Sequence, residues 1–116
     1  MTSPNIKTLP TPENTIWTQH SHFKLKQYQL SKSRVLRIIR HPERIESGIA
    51  PQTLAAMQRV GYKRPSEIWV MWQNIITNQS NRKIKIISTW RYPGISPINQ
   101  PPPIPDDVLE IIREQI

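Results

Sequence analysis

Residues 67–76 read EIWVMWQNII, and this stretch decides the fold. Seven of its ten side chains are apolar, so both faces of an extended chain would avoid water. A short apolar run of this kind is typical of a central β-strand that is buried on both sides. We therefore expect a β-sheet with this segment in its interior.

Three further strands are predicted around the central one. Alternating apolar and polar residues place them at 43–47, 52–59 and 83–91, and the stretch TNQSNR turns the chain into the last of them. The stretch TLAAMQR is ambiguous, because leucine, alanine, methionine and glutamine also favour helix. Consecutive strands joined by short polar loops usually pair antiparallel, so the predicted sheet has about four antiparallel strands.

A first helix is predicted before the sheet, at residues 19–28. Thr18 can cap its N-terminus, and Phe23 and Leu25 are its expected apolar anchors. Gln29 then begins a tight joint to the next helix.

The second helix, predicted at 32–41, has the clearest pattern in the chain. Ser31 can cap it, and Pro42 would end it. At about 100° per residue, its side chains separate into two arcs. The apolar arc consists of Val35, Leu36, Ile38 and Ile39, and the basic arc of Arg34, Arg37, Arg40 and His41. The basic arc should face outward, either as a solvated surface or as a set of phosphate contacts.

The remaining segments flank a predicted body at 16–94. Residues 1–15 read as an extended, proline-containing arm, and residues 95–105 as a stiff proline-rich connection. That connection is either a spacer or a polyproline ligand for a partner. Asp106 can cap a last helix within 106–116. The expected fold class is α+β, with two N-terminal helices packed on a small antiparallel sheet and a short C-terminal helix.

Charge is distributed unevenly along the chain. Residues 15–100 contain fourteen lysines and arginines against three acids, a net charge of +11, whereas residues 101–116 carry −3. A body this basic should attract phosphate groups. The alternative is a soluble basic surface that has no partner.

Several classes of protein are disfavoured by composition. The absence of cysteine excludes disulfides and thiolate metal sites. His20 and His22 would diverge by about 200° on a helix, so no metal site is expected, and no glycine loop suggests a nucleotide cofactor. No apolar run reaches about 18 residues and no secretory signal is recognisable, so we expect a cytoplasmic protein without a membrane segment.

The residue types that remain suit metal-free cleavage of RNA. Histidine can act as acid or base, arginine and lysine can stabilise a phosphorane, and tyrosine or tryptophan can stack on an unpaired base. The last strand ends on Trp90, Arg91 and Tyr92, of which Trp90 and Arg91 should point to opposite faces. Alternatively, Trp90 belongs to the core, Arg91 makes a surface ion pair and Tyr92 packs under the proline segment.

Two stretches resemble a known protein family. HSHFKLKQYQLS (residues 20–31) is similar to the signature His-Ala-x-x-Arg-Met-x-x-Arg-Gly-Ile-Ser of a BrnT-related domain family of unknown function, within the RelE-like ribonuclease-toxin superfamily. His20 and Ser31 match the signature, whereas Lys24 stands where arginine is usual and Gln29 where glycine is usual. KIKIISTWRYPG resembles a late family strand, in which Arg91 is the counterpart of the family arginine.

This resemblance implies a compact toxin-like α+β fold and an acidic antitoxin partner. The resulting hypothesis is a metal-independent endoribonuclease of a toxin–antitoxin system, whose catalytic residues are His20, Lys24, Arg91 and Tyr92. The side chains expected to hold RNA are Arg34, Arg37, Arg40, Lys83, Lys85 and Trp90. The rival hypothesis is a non-catalytic module that binds nucleic acid or an acidic protein through the same basic surface, and a third is a scaffold that uses its proline segment.

Overall fold

The fold consists of a five-stranded sheet and three α-helices. The computed structural model describes residues 11–48, 52–76 and 82–115, so most of the predicted N-terminal arm and most of the TNQSNR turn lie outside the described residues. In chain order, after a short 3-10 turn at Pro12–Asn14, the elements are β1 (Thr15–Trp17), α1 (Gln19–Tyr28), α2 (Lys32–Arg40), β2 (Arg44–Ser47), β3 (Thr53–Val60), β4 (Ser66–Ile76), β5 (Arg82–Pro93) and α3 (Asp106–Gln115).

The sheet confirms the α+β class and corrects the predicted strand count. Its order is β1-β5-β4-β3-β2, with β4 in the centre as the apolar run EIWVMWQNII indicates. Strands β2 to β5 pair antiparallel, but β1 pairs parallel with β5, so the sheet is mixed and not purely antiparallel. The prediction missed β1 because three residues are too few to show an alternating pattern.

The capping residues of the first two helices are those that the sequence indicates. Thr18 Oγ1 accepts a hydrogen bond from the backbone N–H of Ser21, and Ser31 accepts one from that of Arg34. Between the helices, Gln29 adopts the left-handed conformation (φ 56°) that usually favours glycine. One predicted anchor is wrong, since Phe23 is 65% exposed while Leu25 is buried.

The sheet has a hydrophobic core on each face. One face of the sheet is covered by α1 and α2 and is called the helix-pair face. Its buried cluster consists of Leu25, Val35, Ile38, Ala56, Ile68, Val70, Trp72, Ile84 and Ile86. The opposite face is covered by α3 and is called the α3 face. Its buried cluster consists of Ala55, Met57, Trp69, Met71, Ile87, Trp90, Val108 and Ile112. A sheet covered on both faces explains why β4 has so few polar residues.

A β-bulge in β5 changes which side chains point to which face. Met71 pairs with Ser88 and Trp72 with Ile86, so Ile87 is the extra residue. Ile86 belongs to the helix-pair core, and Ile87 belongs to the α3 core. Since the bulge inserts one residue, the alternation beyond it is opposite to the alternation before it.

The proline-rich connection is attached to the sheet by a buried carboxylate. Glu67, which is fully buried on the α3 face, accepts hydrogen bonds from Trp69 Nε1 (3.0 Å), from Ser96 Oγ (2.6 Å) and from the Ser96 N–H (3.1 Å). Arg44 also donates to Ser96 Oγ (2.8 Å) and lies over the Trp69 ring. These contacts fix the start of the segment that leads to α3. None of the described helices is long and apolar enough to cross a bilayer.

Candidate nucleic-acid interface

The last residues of β5 divide between the two faces of the sheet. Trp90 is fully buried in the α3 core, where it stacks on Trp69 with the ring centroids 6.2 Å apart and the planes 7° from parallel. Arg91 pairs with Ile68 of the helix-pair core and is exposed on that face. Tyr92 is half-buried beside the α3 core. The predicted RNA contact of Trp90 is therefore corrected, because a side chain with no exposed surface cannot stack on a base.

Lys24, a predicted phosphate ligand, lies inside the protein. It is 2% exposed, it forms an ion pair with Asp107 of α3, and it donates to Gln27 Oε1 at 2.9 Å. Its ammonium group also lies 5.8 Å from the centre of the Tyr28 ring. A lysine neutralised and enclosed in this way is not available to an RNA phosphate, so its predicted role is corrected to that of an anchor for α3.

His20 belongs to the same side of the molecule as Lys24. Thr18, the N-cap of α1, donates from Oγ1 to the Ile86 carbonyl at 3.0 Å, which fixes the start of α1 beside β5. His20 Nε2 is 3.1 Å from Ser88 Oγ. Ser88 pairs with Met71 of the α3 core, whereas Arg91 lies on the helix-pair face. His20 and Arg91 therefore face opposite sides of the sheet, and the expected shared site of these two residues is not formed.

The surroundings of His20 favour its neutral form. Partial burial and the nearby positive charge of Lys24 lower the pKa of His20 from its ordinary value, and the Asp107 carboxylate offsets part of this effect. Ser88 is fully buried, so the pair of side chains has no access to a substrate that would react at the serine hydroxyl. Among the described residues, no group of three or more potential metal ligands is present.

We expect stability to depend on pH through His20. Its folded-state pKa lies below the ordinary value of 6.5, so the folded protein prefers the neutral ring. The stability that this preference contributes is fully present above the unfolded-state pKa of His20. It is lost as the pH falls from the unfolded-state pKa towards the folded-state pKa. The free energy of unfolding should therefore fall as the pH drops below the ordinary pKa of 6.5, and His20→Gln should reduce this dependence.

The matched control for this titration is His41→Gln, because His41 is exposed at the end of α2. Denaturant unfolding well above and well below pH 6.5 measures the dependence in each variant. An equal pH dependence in wild type and His20→Gln would contradict the assignment.

Lys83 and Lys85 are separated from Arg91 by the bulge. Both precede Ile87 and alternate with Ile84 and Ile86 of the helix-pair core, so they point to the α3 face. Arg91 follows the bulge and points to the helix-pair face. The predicted set of basic residues consequently forms two groups, and only Arg34, Arg37 and Arg40 share the helix-pair side with Arg91.

A hollow on the helix-pair face brings Arg34 and Arg91 together. It has a volume of about 400 Å³, and its other lining residues are Gln29, Leu30, Ser31, Val60 and Ile68. No acidic residue lines it. Among the described residues, no carboxylate forms an ion pair with either arginine; Arg91 makes only a long 3.5 Å contact with Ser66 Oγ. Arg34 Nε is buried and has no hydrogen-bond partner among the residues that the structure describes.

Two elements bring positive charge to the hollow. Ser31 caps α2, so the first turn of that helix, with its partial positive charge, borders the hollow. Arg34 projects from this turn, and the bulge in β5 directs Arg91 to the same side. A concave surface with two guanidinium groups and no acid can bind a phosphate through several charge-assisted hydrogen bonds.

Some residues of these sites were not predicted. The positive φ of Gln29 follows from the joint that the sequence indicated, but Val60 and Ile68 gave no signal beyond their place in strands. Asp107 was foreseen only as part of an acidic tail whose charge opposes that of the body. The contact between Asp107 and Lys24 joins residues 83 positions apart, and such a pairing depends on the tertiary fold.

Comparison of the chain with protein-family models, curated proteins and solved structures finds no match. The resemblance to the BrnT-related family therefore stays a prediction, and the functional argument depends on the geometry alone.

Proposed function

We propose that this protein binds RNA without cleaving it, through a basic surface formed by α2 and the end of β5. The observation that carries the proposal is the hollow in which Arg34 and Arg91 lie without an acidic neighbour. Arginine binds phosphate in a planar, bidentate geometry, and unpaired arginines in a concavity are suited to a polyanion.

The charges around the hollow support a polyanionic ligand. Arg37 and Arg40 are exposed on α2 one and two turns beyond Arg34, so they extend the basic surface along the helix. The body as a whole carries +11 between residues 15 and 100. A long RNA can neutralise several of these charges at once and release its counterions, which favours binding at low salt.

The separation of His20 from Arg91 argues against cleavage at this surface. In-line attack of a 2′-hydroxyl requires the acid or base and the phosphate ligands within hydrogen-bond reach of one phosphate. On the other face, the nearest predicted cation is Lys24, which Asp107 already neutralises. Metal-independent cleavage stays the second candidate because the half-buried His20 ring remains partly open to solvent, and its surroundings favour the neutral form that can act as a base.

The experiment is a titration of labelled single-stranded RNA at several salt concentrations. We expect the affinity of wild type for RNA to fall steeply as the salt concentration rises. Each of the single variants Arg34→Ala and Arg91→Ala should bind at least about tenfold more weakly than wild type, and the double variant should lose both contributions. Because each lost phosphate contact lowers the salt slope on a single strand by about 0.7, the double variant should have a slope smaller by about 1.4.

Arg113→Ala is the matched control, since Arg113 is an exposed arginine on α3, the helix that covers the opposite face of the sheet. It removes the same charge and should change affinity much less. Equal losses in Arg113→Ala and in each single variant of the hollow would indicate nonspecific attraction and overturn the assignment of the surface. Tight binding of an acidic protein with no affinity for RNA would favour the rival partner.

A further inference from the structure

We infer that the hollow holds a single unpaired nucleotide, with its phosphate on Arg34 and Arg91 and its base on the apolar wall. This inference rests on the proposed function and goes beyond it, because it assigns the form of RNA that is recognised. A surface that only neutralises phosphates would bind single strands and duplexes alike.

The size of the hollow fits one nucleotide. Its volume is about 400 Å³, which lies within the range of about 300–1,000 Å³ that is usual for small-molecule sites. The hollow is shallow and broadly open to solvent, so a nucleotide can lie in it while the rest of the strand continues outside. A base pair inside a duplex cannot turn one base into such a concavity without unpairing.

The two kinds of wall match the two parts of a nucleotide. Leu30 and Val60, which are half-buried, offer the accessible apolar surface, beside the buried Ile68. All three belong to or pack against the helix-pair core, which holds them in place. Arg34 and Arg91 form the cationic part. Bases have apolar faces that gain from leaving water, whereas phosphate requires charged donors.

Arg34 Nε strengthens the case for a bound anion. A buried donor without a partner costs free energy, and native structures rarely keep one without a reason. Because solvent does not reach Nε, the guanidinium would have to turn towards the hollow before a phosphate oxygen could accept from it. Such a turn would satisfy a donor that has no partner among the described residues in the unliganded protein.

Gln29 adds a means of reading the base edge. It is exposed at the rim of the hollow, and its left-handed backbone lies between two helices that fix its position. A glutamine amide offers both a donor and an acceptor, which can pair with the edge of a base. Gln29→Ala should therefore change the preference among homopolymeric single strands more than it changes the salt slope.

The first test uses uridine monophosphate, ribose 5-phosphate and inorganic phosphate as probes with wild-type protein, so no variant has to fold. Competition against labelled single-stranded RNA measures their binding. We expect the nucleotide to compete at concentrations at least about tenfold lower than inorganic phosphate, with ribose 5-phosphate between them, because base contacts contribute this much or more. Equal competition by all three would overturn the inference.

The second test compares a single strand with a duplex of the same length. We expect the single strand to bind at least about tenfold tighter at equal salt, and Val60→Phe, which narrows the hollow, to reduce this preference. Ile45→Phe, at an exposed strand position outside the hollow, is the control.

The outcomes separate the two proposals. Equal binding of single strand and duplex, with both dependent on Arg34 and Arg91, would overturn the nucleotide site and leave RNA binding intact. If no RNA of either form binds, the proposed function itself fails.

Discussion

Replacing Glu67 with alanine is expected to lower the free energy of unfolding by about 3–5 kcal/mol. The carboxylate is fully buried and accepts from Trp69 Nε1 and from two groups of Ser96. Alanine leaves all three donors without an acceptor in a place that water does not reach, and each unsatisfied donor costs about 1–3 kcal/mol.

Urea denaturation followed by circular dichroism measures the effect. Glu110→Ala is the matched control, because Glu110 is an exposed carboxylate on α3, and its loss should change stability by no more than about 0.5 kcal/mol. If Glu67→Ala were as stable as Glu110→Ala, Glu67 would not be the buried acceptor described here.

The neighbours Trp90 and Arg91 are expected to differ sharply in their effect on stability. Trp90→Ala should cost about 3–5 kcal/mol, because it removes one of the two buried tryptophans of the α3 core and its stacking on the other, Trp69. Arg91→Ala should change stability by no more than about 0.5 kcal/mol, since the arginine is exposed and makes no ion pair among the described residues.

This pair is its own control, since both substitutions are to alanine in the same strand. Thermal and urea unfolding of the two variants provide the comparison. A large loss for Arg91→Ala together with a small loss for Trp90→Ala would mean that β5 has the opposite orientation, and the hollow would lose one of its two arginines.

Much of the fold could be predicted because short stretches of sequence determine the type and orientation of several elements. The apolar run of β4 required burial on both faces, and the two arcs of α2 specified which side packs. Thr18 and Ser31 marked the helix starts through chemistry that needs only four consecutive residues. Strand β1 escaped notice because its partner, β5, lies almost seventy residues away, and a three-residue strand is defined by that pairing alone.

The site was harder to predict than the fold, and the bulge at Ile87 is the main reason. Strict alternation along β5 would have placed Lys83, Lys85 and Arg91 on one face. One extra residue moves Arg91 to the opposite face, where it meets Arg34. Nothing in the sequence KIKIISTW marks the bulge, since it contains no glycine or proline.

The position of Lys24 also could not be predicted from the sequence. Its charge suggested a phosphate ligand, but α3 returns over the sheet and places Asp107 against it. The sequence showed a basic body and an acidic tail, but a contact between Lys24 and Asp107 could be recognised only once the path of the proline-rich connection was known.

The central claim is that Arg91, and not His20, acts on RNA in this protein. In the direct measurement, labelled RNA is incubated in EDTA with wild type, His20→Ala and Arg91→Ala. The affinity of each protein for the RNA and the length of the RNA after incubation are then measured. The account predicts that RNA stays intact with all three proteins, that Arg91→Ala binds about tenfold more weakly, and that His20→Ala binds as wild type does. Cleavage by wild type that disappears in His20→Ala would contradict it.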